Sequence, residues 1–229
     1  DYDLPFGTAG LDFNQDPPQG IMDALLAPDR LDANLLDRLM SKCTDNLSML
    51  AAPGTLERAY DFQETEFDAL LDLLRASAPA IVLDMPHIWN AWSRRLISSS
   101  DQIVLVCSPD LANLRNAKSL LDVMKQARPN DERPNVVVNF IGVPKRPEIG
   151  VAEFAKALDC EVAGALQFDP ALFGTAANNG QMLSEVQPKA KSVEALMDVA
   201  RKVLGRSDAK AQRKSILDPL LSKLKIKAA

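Results

Sequence analysis

Soft metal ligands are scarce in this 229-residue chain, which has one histidine, His87, and three cysteines, Cys43, Cys107 and Cys160, set far apart. Their spacing fits no zinc motif, and a single histidine argues against a histidine-based metal centre. The odd, scattered thiols read as buried structural cysteines in a reducing cytoplasm. No stretch of about 18 apolar residues occurs, so no membrane-spanning helix is expected. No secretory signal is visible either. Internal repeats and low-complexity tracts are absent. The chain opens Asp1-Tyr2-Asp3 without a methionine, which predicts a parent protein that extends upstream.

What is present is an ordinary globular composition, 47% apolar and 25% charged. The net charge of −5 is unevenly spread: residues 206–229 hold seven basic and two acidic side chains, leaving a net of −10 on residues 1–205. An acidic body lacks the electrostatic footprint of a nucleic-acid binder, so no nucleic acid is expected as partner. A basic end on an acidic body points to a contact surface there.

Three short apolar runs, 80–84, 103–107 and 136–140, are continuous rather than alternating, the pattern of strands buried on both faces of a parallel sheet. Weaker strands are expected over 47–50 and 161–166. Helical stripes fall between them. One runs from Asp61 to Arg75 with Phe62, Phe67, Leu70, Leu71 and Leu74, and another from Leu111 to Ala127 with Leu114, Leu120, Leu121 and Met124. The proline-rich segments 128–134 and 142–147 read as loops. Alternating strands and helices predict an α/β fold, a doubly wound, mostly parallel sheet with helices on both faces. The domain spans 1–205, incomplete at its N-terminus, and 206–229 form a basic amphipathic tail.

Ligands of open α/β sheets bind beyond the carboxyl ends of the strands. The polar residues closing the apolar runs are Asp84, Ser108-Pro109-Asp110, Asn139 and Asp169-Pro170. An acid that ends a buried apolar strand is costly unless it meets a cation or hydrogen-bond donors. Asp84 therefore reads either as a cation-facing carboxylate or as a cap of the next helix.

Ile81-Val82-Leu83-Asp84-Met85-Pro86 resembles the Walker B segment of MinD/ParA ATPases, and Asp1-Tyr2-Asp3-Leu4-Pro5-Phe6-Gly7 with Leu11-Asp12 resembles their first switch. Several long blocks in order are similar to the TadZ/CpaE pilus-assembly proteins within that superfamily. They are Asp84 to Trp92, Ser108 to Lys118, Asn139 to Ile149 and Phe168 to Leu183. The resemblance implies ATP and Mg²⁺ as cofactors of the parent protein. Asp84 would reach Mg²⁺, through water, and Asp3 would orient the attacking water. Asp1 would lie near the metal, and Asn139, Asp169 and Pro170 near the base. It further implies a cytoplasmic homodimer that positions the secretion machinery of Flp-type pili, commonly with a receiver-like domain ahead of the ATPase-like one. One departure stands out: no Gly-Lys pair occurs, so the phosphate-binding loop is not among these residues. In the family that loop follows a central strand upstream of the position of Asp1.

His87 reads as a helix-start residue or as part of the second switch. Trp89 and Trp92, three apart on the expected next helix, suit either core or a dimer contact. Lys145-Arg146 lies in a turn between prolines and reads as solvated or as a partner contact. In the tail, Asp218-Pro219 reads as a helix start, with Leu220, Leu221 and Leu224 on one side and Lys223, Lys225 and Lys227 elsewhere around it. Such a segment suits an anionic membrane surface, at the periphery of the inner membrane, or a protein partner, and reads otherwise as a disordered, solvated tail or as a segment packed on its own domain. Three functions follow: an ATP-sandwich dimer switch, a dimeric scaffold without catalysis, and a ParA-type DNA partition ATPase.

Overall fold

A computed structural model describes residues 1–205, except 16, 18, 58–61 and 64. The tail residues Leu220, Leu221, Lys223, Leu224, Lys225 and Lys227 lie outside the described residues.

The N-terminal half is helical, with short extended segments. Helices α1 (Ala9–Asp12), α2 (Ile21–Leu25) and α3 (Ala33–Leu39) lead into an antiparallel pair, β1 (Ser41–Lys42) and β2 (Ser48–Met49). Helix α4 (Asp68–Ser77), an extended stretch through residue 85 and helix α5 (Ala91–Ser99) follow. Apolar residues recur on one side of α4, and Leu70, Leu71 and Leu74 enter a core with Tyr2, Leu36 and Leu96. Phe67 centres this core, its ring 4.9 Å from those of both Tyr2 and Trp92. The Tyr2 N–H donates to the Asp84 carbonyl at 2.8 Å, and the Asp1 nitrogen donates to the Leu50 carbonyl at 3.0 Å. Residues 1–3 thus run between the segment after β2 and the segment ending at Asp84.

The C-terminal half is a parallel sheet. Strands β3 (Val104–Cys107), β4 (Asn135–Ile141) and β5 (Val162–Gln167) lie in the order β3-β4-β5, joined by crossover helices α6 (Leu111–Ala127) and α7 (Val151–Leu158). Helices α8 (Pro170–Asn179), α9 (Leu183–Val186) and α10 (Lys191–Val203) complete the described fold. One face of the sheet packs Val136 and Val138 against Phe154 and Leu158, and the other packs Val137 and Leu166 against Val199 of α10. Gly164 permits the second contact, because a Cβ there would lie 2.5 Å from Val199 Cγ2.

The buried residues thus fall into a core drawn from positions 2–96 and a second set drawn from 105–203. The halves meet where α1 packs on α8. Gly180, at φ +59 after α8, has no Cβ to strike Asn14 Cβ at 2.7 Å or Asn14 N and the Leu11 carbonyl at 2.8 Å.

The structure bears out the α/β parallel fold and revises several local expectations. Burial on both faces holds for β4 but not for the other two runs. Ile81, Leu83 and Met85 pack into the first core while Val82 between them is 91% exposed. Leu105 and Cys107 pack inward, whereas Val104 and Val106 are 44% and 58% exposed. Residues 80–84 also join no regular ladder among the described residues. The helix expected from Asp61 starts at Asp68. Phe67 precedes its first turn, and Phe62 packs on the core from outside it. Trp89 and Trp92 do not share a helix, because Asn90 caps α5 between them, with Ser93 completing a reciprocal capping box. Trp92 is core, Trp89 is exposed, and so is His87, which lies ahead of the helix.

Candidate functional site

Residues from the sequence reading fall into two groups, one on the segments 1–3 and 80–84 and one where β4 and β5 end. The first is Asp1, Asp3 and Asp84, brought alongside by the Tyr2–Asp84 backbone bond. The Asp84 side chain is exposed and accepts no hydrogen bond among the described residues, and its charge acts on the Asp1 amino group, whose pKa burial lowers and Asp84 raises. It does not cap the next helix, a role that Asn90 takes.

Asp1 is differently placed. Its Oδ1 accepts from the Asp3 N–H at 3.0 Å and its Oδ2 from the Ala9 N–H at 3.2 Å. Both oxygens therefore tie down the turn that leads into α1. Gly7 is confined by this arrangement, since a Cβ there would come within 2.3–2.5 Å of the Asp1 carboxylate atoms. Asp3 Oδ1 accepts from the Phe6 N–H at 3.3 Å, and the Asp3 carbonyl accepts from the Phe6 and Gly7 N–H groups. The turn thus fixes Asp3, the residue after the Tyr2 N–H that bonds the Asp84 carbonyl, and Asp3 Oδ2 accepts no hydrogen bond among the described residues.

The second group lies where β4 and β5 end, joined by the Phe168 N–H donating to the Ile141 carbonyl at 2.8 Å. Asp169 caps α8, its Oδ1 accepting from the Leu172 N–H at 3.0 Å, with Pro170 in the first helical turn. Asn139 Oδ1 accepts from the Phe140 N–H at 2.8 Å. Asp110, closing β3, caps α6 through the Asn113 N–H at 2.8 Å. The N–H groups of Asn113, with help from the Arg146 guanidinium, hold the Asp110 carboxyl below the ordinary carboxylate range. Arg146 also donates to the Phe140 carbonyl and lies 4.0 Å from Glu148, which accepts from the Gly142 N–H. Lys145-Arg146 is therefore only in part the solvated turn of one sequence reading, because Arg146 braces the end of β4. Sequence reasoning read the 142–147 loop and its Lys145-Arg146 turn but missed the bracing role of Arg146 and the left-handed conformation of Phe140, which depend on the Gly142–Glu148 closure.

No group of three or more His, Cys, Asp or Glu side chains among the described residues is arranged to hold a metal ion. Two depressions, of about 230 and 900 Å³, lie at the opposite end of the sheet, around Arg133, Pro134, Asp159 and Cys160. None of the residues singled out from the sequence as site residues lines them. No described helix is long and apolar enough to cross a membrane.

No protein-family model matches the chain. The septum site-determining protein MinD of Bacillus subtilis (strain 168) is 24% identical over 166 residues, 71% of this chain. The chain spans 60% of the length of that relative. A ParA family ATPase from Chlorobium tepidum TLS superposes with a TM-score of 0.73 at 22% identity, covering 86% of this chain and 80% of its own. The septum site-determining protein MinD complexed with Mg-ADP from Pyrococcus horikoshii OT3 gives a TM-score of 0.70 at 18% identity, covering 92% of this chain and 84% of its own. These superpositions show that the chain has the fold of these ParA and MinD proteins.

Proposed function

We propose that the full protein is a nucleotide-regulated localisation switch, a homodimer with ATP held between subunits that positions the secretion and assembly machinery of Flp-type pili. The observation that carries the nucleotide reading is the pair of uncovered strand sides. Val82 points away from the first core, and Val104 and Val106 point away from the second. The two segments are not paired with each other, and β3 pairs only with β4 among the described residues. Apolar strands uncovered in this way call for a further strand and a helix to cover them. A strand and helix joined at the carboxyl end of the sheet would set a phosphate-binding turn beside Asp84.

In this reading Mg²⁺ bound with ATP neutralises phosphate charge. Asp84 meets it through water, and Asp3 orients the attacking water with its open oxygen. Asp1 acts on the nucleotide indirectly, by fixing the turn that carries Asp3. Asn139 and the Asp169-Pro170 turn shape the base end. The exposed apolar side chains Phe6, Trp89 and Leu111 would supply anchors for the second subunit. The basic tail, with Leu220, Leu221 and Leu224 beside Lys223, Lys225 and Lys227, provides contact with the inner-membrane surface or with a pilus component.

A scaffold without catalysis is the second reading, and the commitment of both Asp1 oxygens to backbone amides favours it. Asp84→Ala in the full-length protein separates the two. Loss of Mg-ATP affinity and of focal localisation supports the switch. Unchanged ATP affinity, dimerisation and localisation would sink it.

A further inference from the structure

Charge is divided between the halves of the fold as unevenly as along the chain. Residues 1–96 hold 16 acidic and 7 basic side chains, a net of −9, whereas residues 97–205 hold 13 and 12, a net of −1. Part of the acidic excess accompanies apolar side chains that the first core leaves outside. Leu26, Leu47 and Leu56 are 55%, 39% and 60% exposed. Asp29, Asp37 and Glu57 are exposed as well and join no ion pair among the described residues. These six residues lie on segments that the fold holds together. Leu26 follows α2 and Asp37 lies on α3, and the two helices pack on each other. The Ile21 N–H donates to the Ala51 carbonyl at 3.0 Å, which ties α2 to the chain between β2 and Glu57. Residues 20–57 carry six acidic and three basic side chains. Of the three, Lys42 is taken by Asp45. The result is a surface of leucines set among carboxylates, which fits a segment of leucines set among lysines.

Such a segment belongs to the chain itself. Residues 206–229 carry seven basic and two acidic side chains, with Leu217, Leu220, Leu221 and Leu224 among them. The described fold ends at Gly205, after α10. Residues 206–217 span up to about 40 Å when extended, against a radius of gyration of about 17 Å for a domain of this length. The leucine–lysine segment beyond them therefore reaches any face of its own domain. A weak contact suffices, because tethering gives an effective concentration of about a millimolar. We propose that the surface bearing Leu26, Leu56, Asp29, Asp37 and Glu57 is the docking site of this chain's own basic tail, with lysines on carboxylates and leucines on leucines. The same lysines would meet an anionic membrane, so the docked tail and the membrane-bound tail exclude each other. This inference goes beyond the switch reading and stands or falls independently of nucleotide.

The test follows the anisotropy of a labelled synthetic peptide of residues 206–229, added to the full-length protein and to the same protein ended at Gly205. The shortened protein should bind the peptide about tenfold more tightly than the intact one, whose own tail fills the site. Asp29→Lys, Asp37→Lys and Glu57→Lys together should weaken binding to the shortened protein about tenfold without moving its melting temperature. Lys223→Glu, Lys225→Glu and Lys227→Glu in the peptide should do the same, and they leave the fold of the body untouched. Raising salt to about 0.5 M should weaken the contact further. Equal binding by the intact and shortened proteins would overturn docking of the tail on its own domain. A peptide that binds phosphatidylglycerol vesicles but not the shortened protein would overturn it too, and assign the tail to membrane alone. Undiminished binding by either set of charge reversals would overturn the surface named here. Exclusion of the peptide that grows with the concentration of the intact protein would place the tail on a second copy and refute the contact within one chain.

Discussion

Replacing Gly180 by alanine tests how the two halves are joined. The position has two independent constraints. Its φ of +59 ends α8 in a left-handed cap, and its missing Cβ lets the turn after α1 close against it. Forcing an L side chain into that conformation costs about 1–2 kcal/mol. The added methyl would also sit 2.7 Å from Asn14 Cβ and 2.8 Å from Asn14 N and the Leu11 carbonyl. Two of those three atoms are backbone, so a rotamer change cannot relieve the clash, and overpacking of this kind costs about 1–3 kcal/mol. The two effects relax together, which gives about 2–4 kcal/mol for Gly180→Ala in urea unfolding. Gly180→Asn tells them apart, because asparagine tolerates the left-handed conformation but still carries a Cβ. It should recover only the conformational share, about 1 kcal/mol. Hydrogen exchange should locate the damage. The Asn14 and Gln15 amides, which donate to the Leu11 and Gly10 carbonyls, should lose protection in both variants while β4 keeps its own. A cost below about 1 kcal/mol for Gly180→Ala, or full recovery in Gly180→Asn, would refute the steric part of this argument.

Three further outcomes are expected. Gly164→Ala should destabilise the protein by about 1–3 kcal/mol, because its Cβ meets Val199 Cγ2 at 2.5 Å. The double variant with Val199→Ala should cost less than the two single changes together, which thermal unfolding can check. The Asp110 carboxyl is held below the ordinary range in the fold, so its charge adds stability above the unfolded-state value. That contribution should fade as pH falls below about 4, and Asp110→Asn, which keeps the capping oxygen, should narrow its stability gap to wild type over the same window. Burial pushes the Cys107 thiol up to about 11. At neutral pH iodoacetamide should therefore modify native Cys107 far more slowly than the unfolded chain, and equal rates would contradict the burial.

Much of the C-terminal half was legible in the sequence because its signals are local. Helix α6 begins and ends where its 3.6-residue stripe does, and Asp110 announces its cap. β4 reads correctly as a continuous apolar run because it has a strand on each side and helices on both faces. The same pattern misleads at Val82, Val104 and Val106, since a run of valines states what a strand can bury and not what lies beside it. Phe62 and Phe67 fit a helical period yet reach the core from outside the helix. Trp89 and Trp92 fit one helical face, but the Asn90–Ser93 capping box starts the helix between them, a signal that was available in the residue types. At the candidate site, Asp84 was singled out by the end of an apolar run and by resemblance, and Asp3 by resemblance alone. The capping duties of Asp1 and Asp169 depend on turn geometry. The strained Phe140, its Arg146 brace and the Gly180–Asn14 contact depend on loop closure and long-range packing, which a single sequence does not display.

The central claim is that nucleotide drives assembly, and the mass of the full-length protein in solution tests it most directly. Light scattering should find a monomer without nucleotide, a dimer with Mg-ATP, and a monomer for Asp84→Ala under both conditions. A dimer of the same mass in all of these, variant included, would contradict the switch and leave a scaffold that assembles without nucleotide.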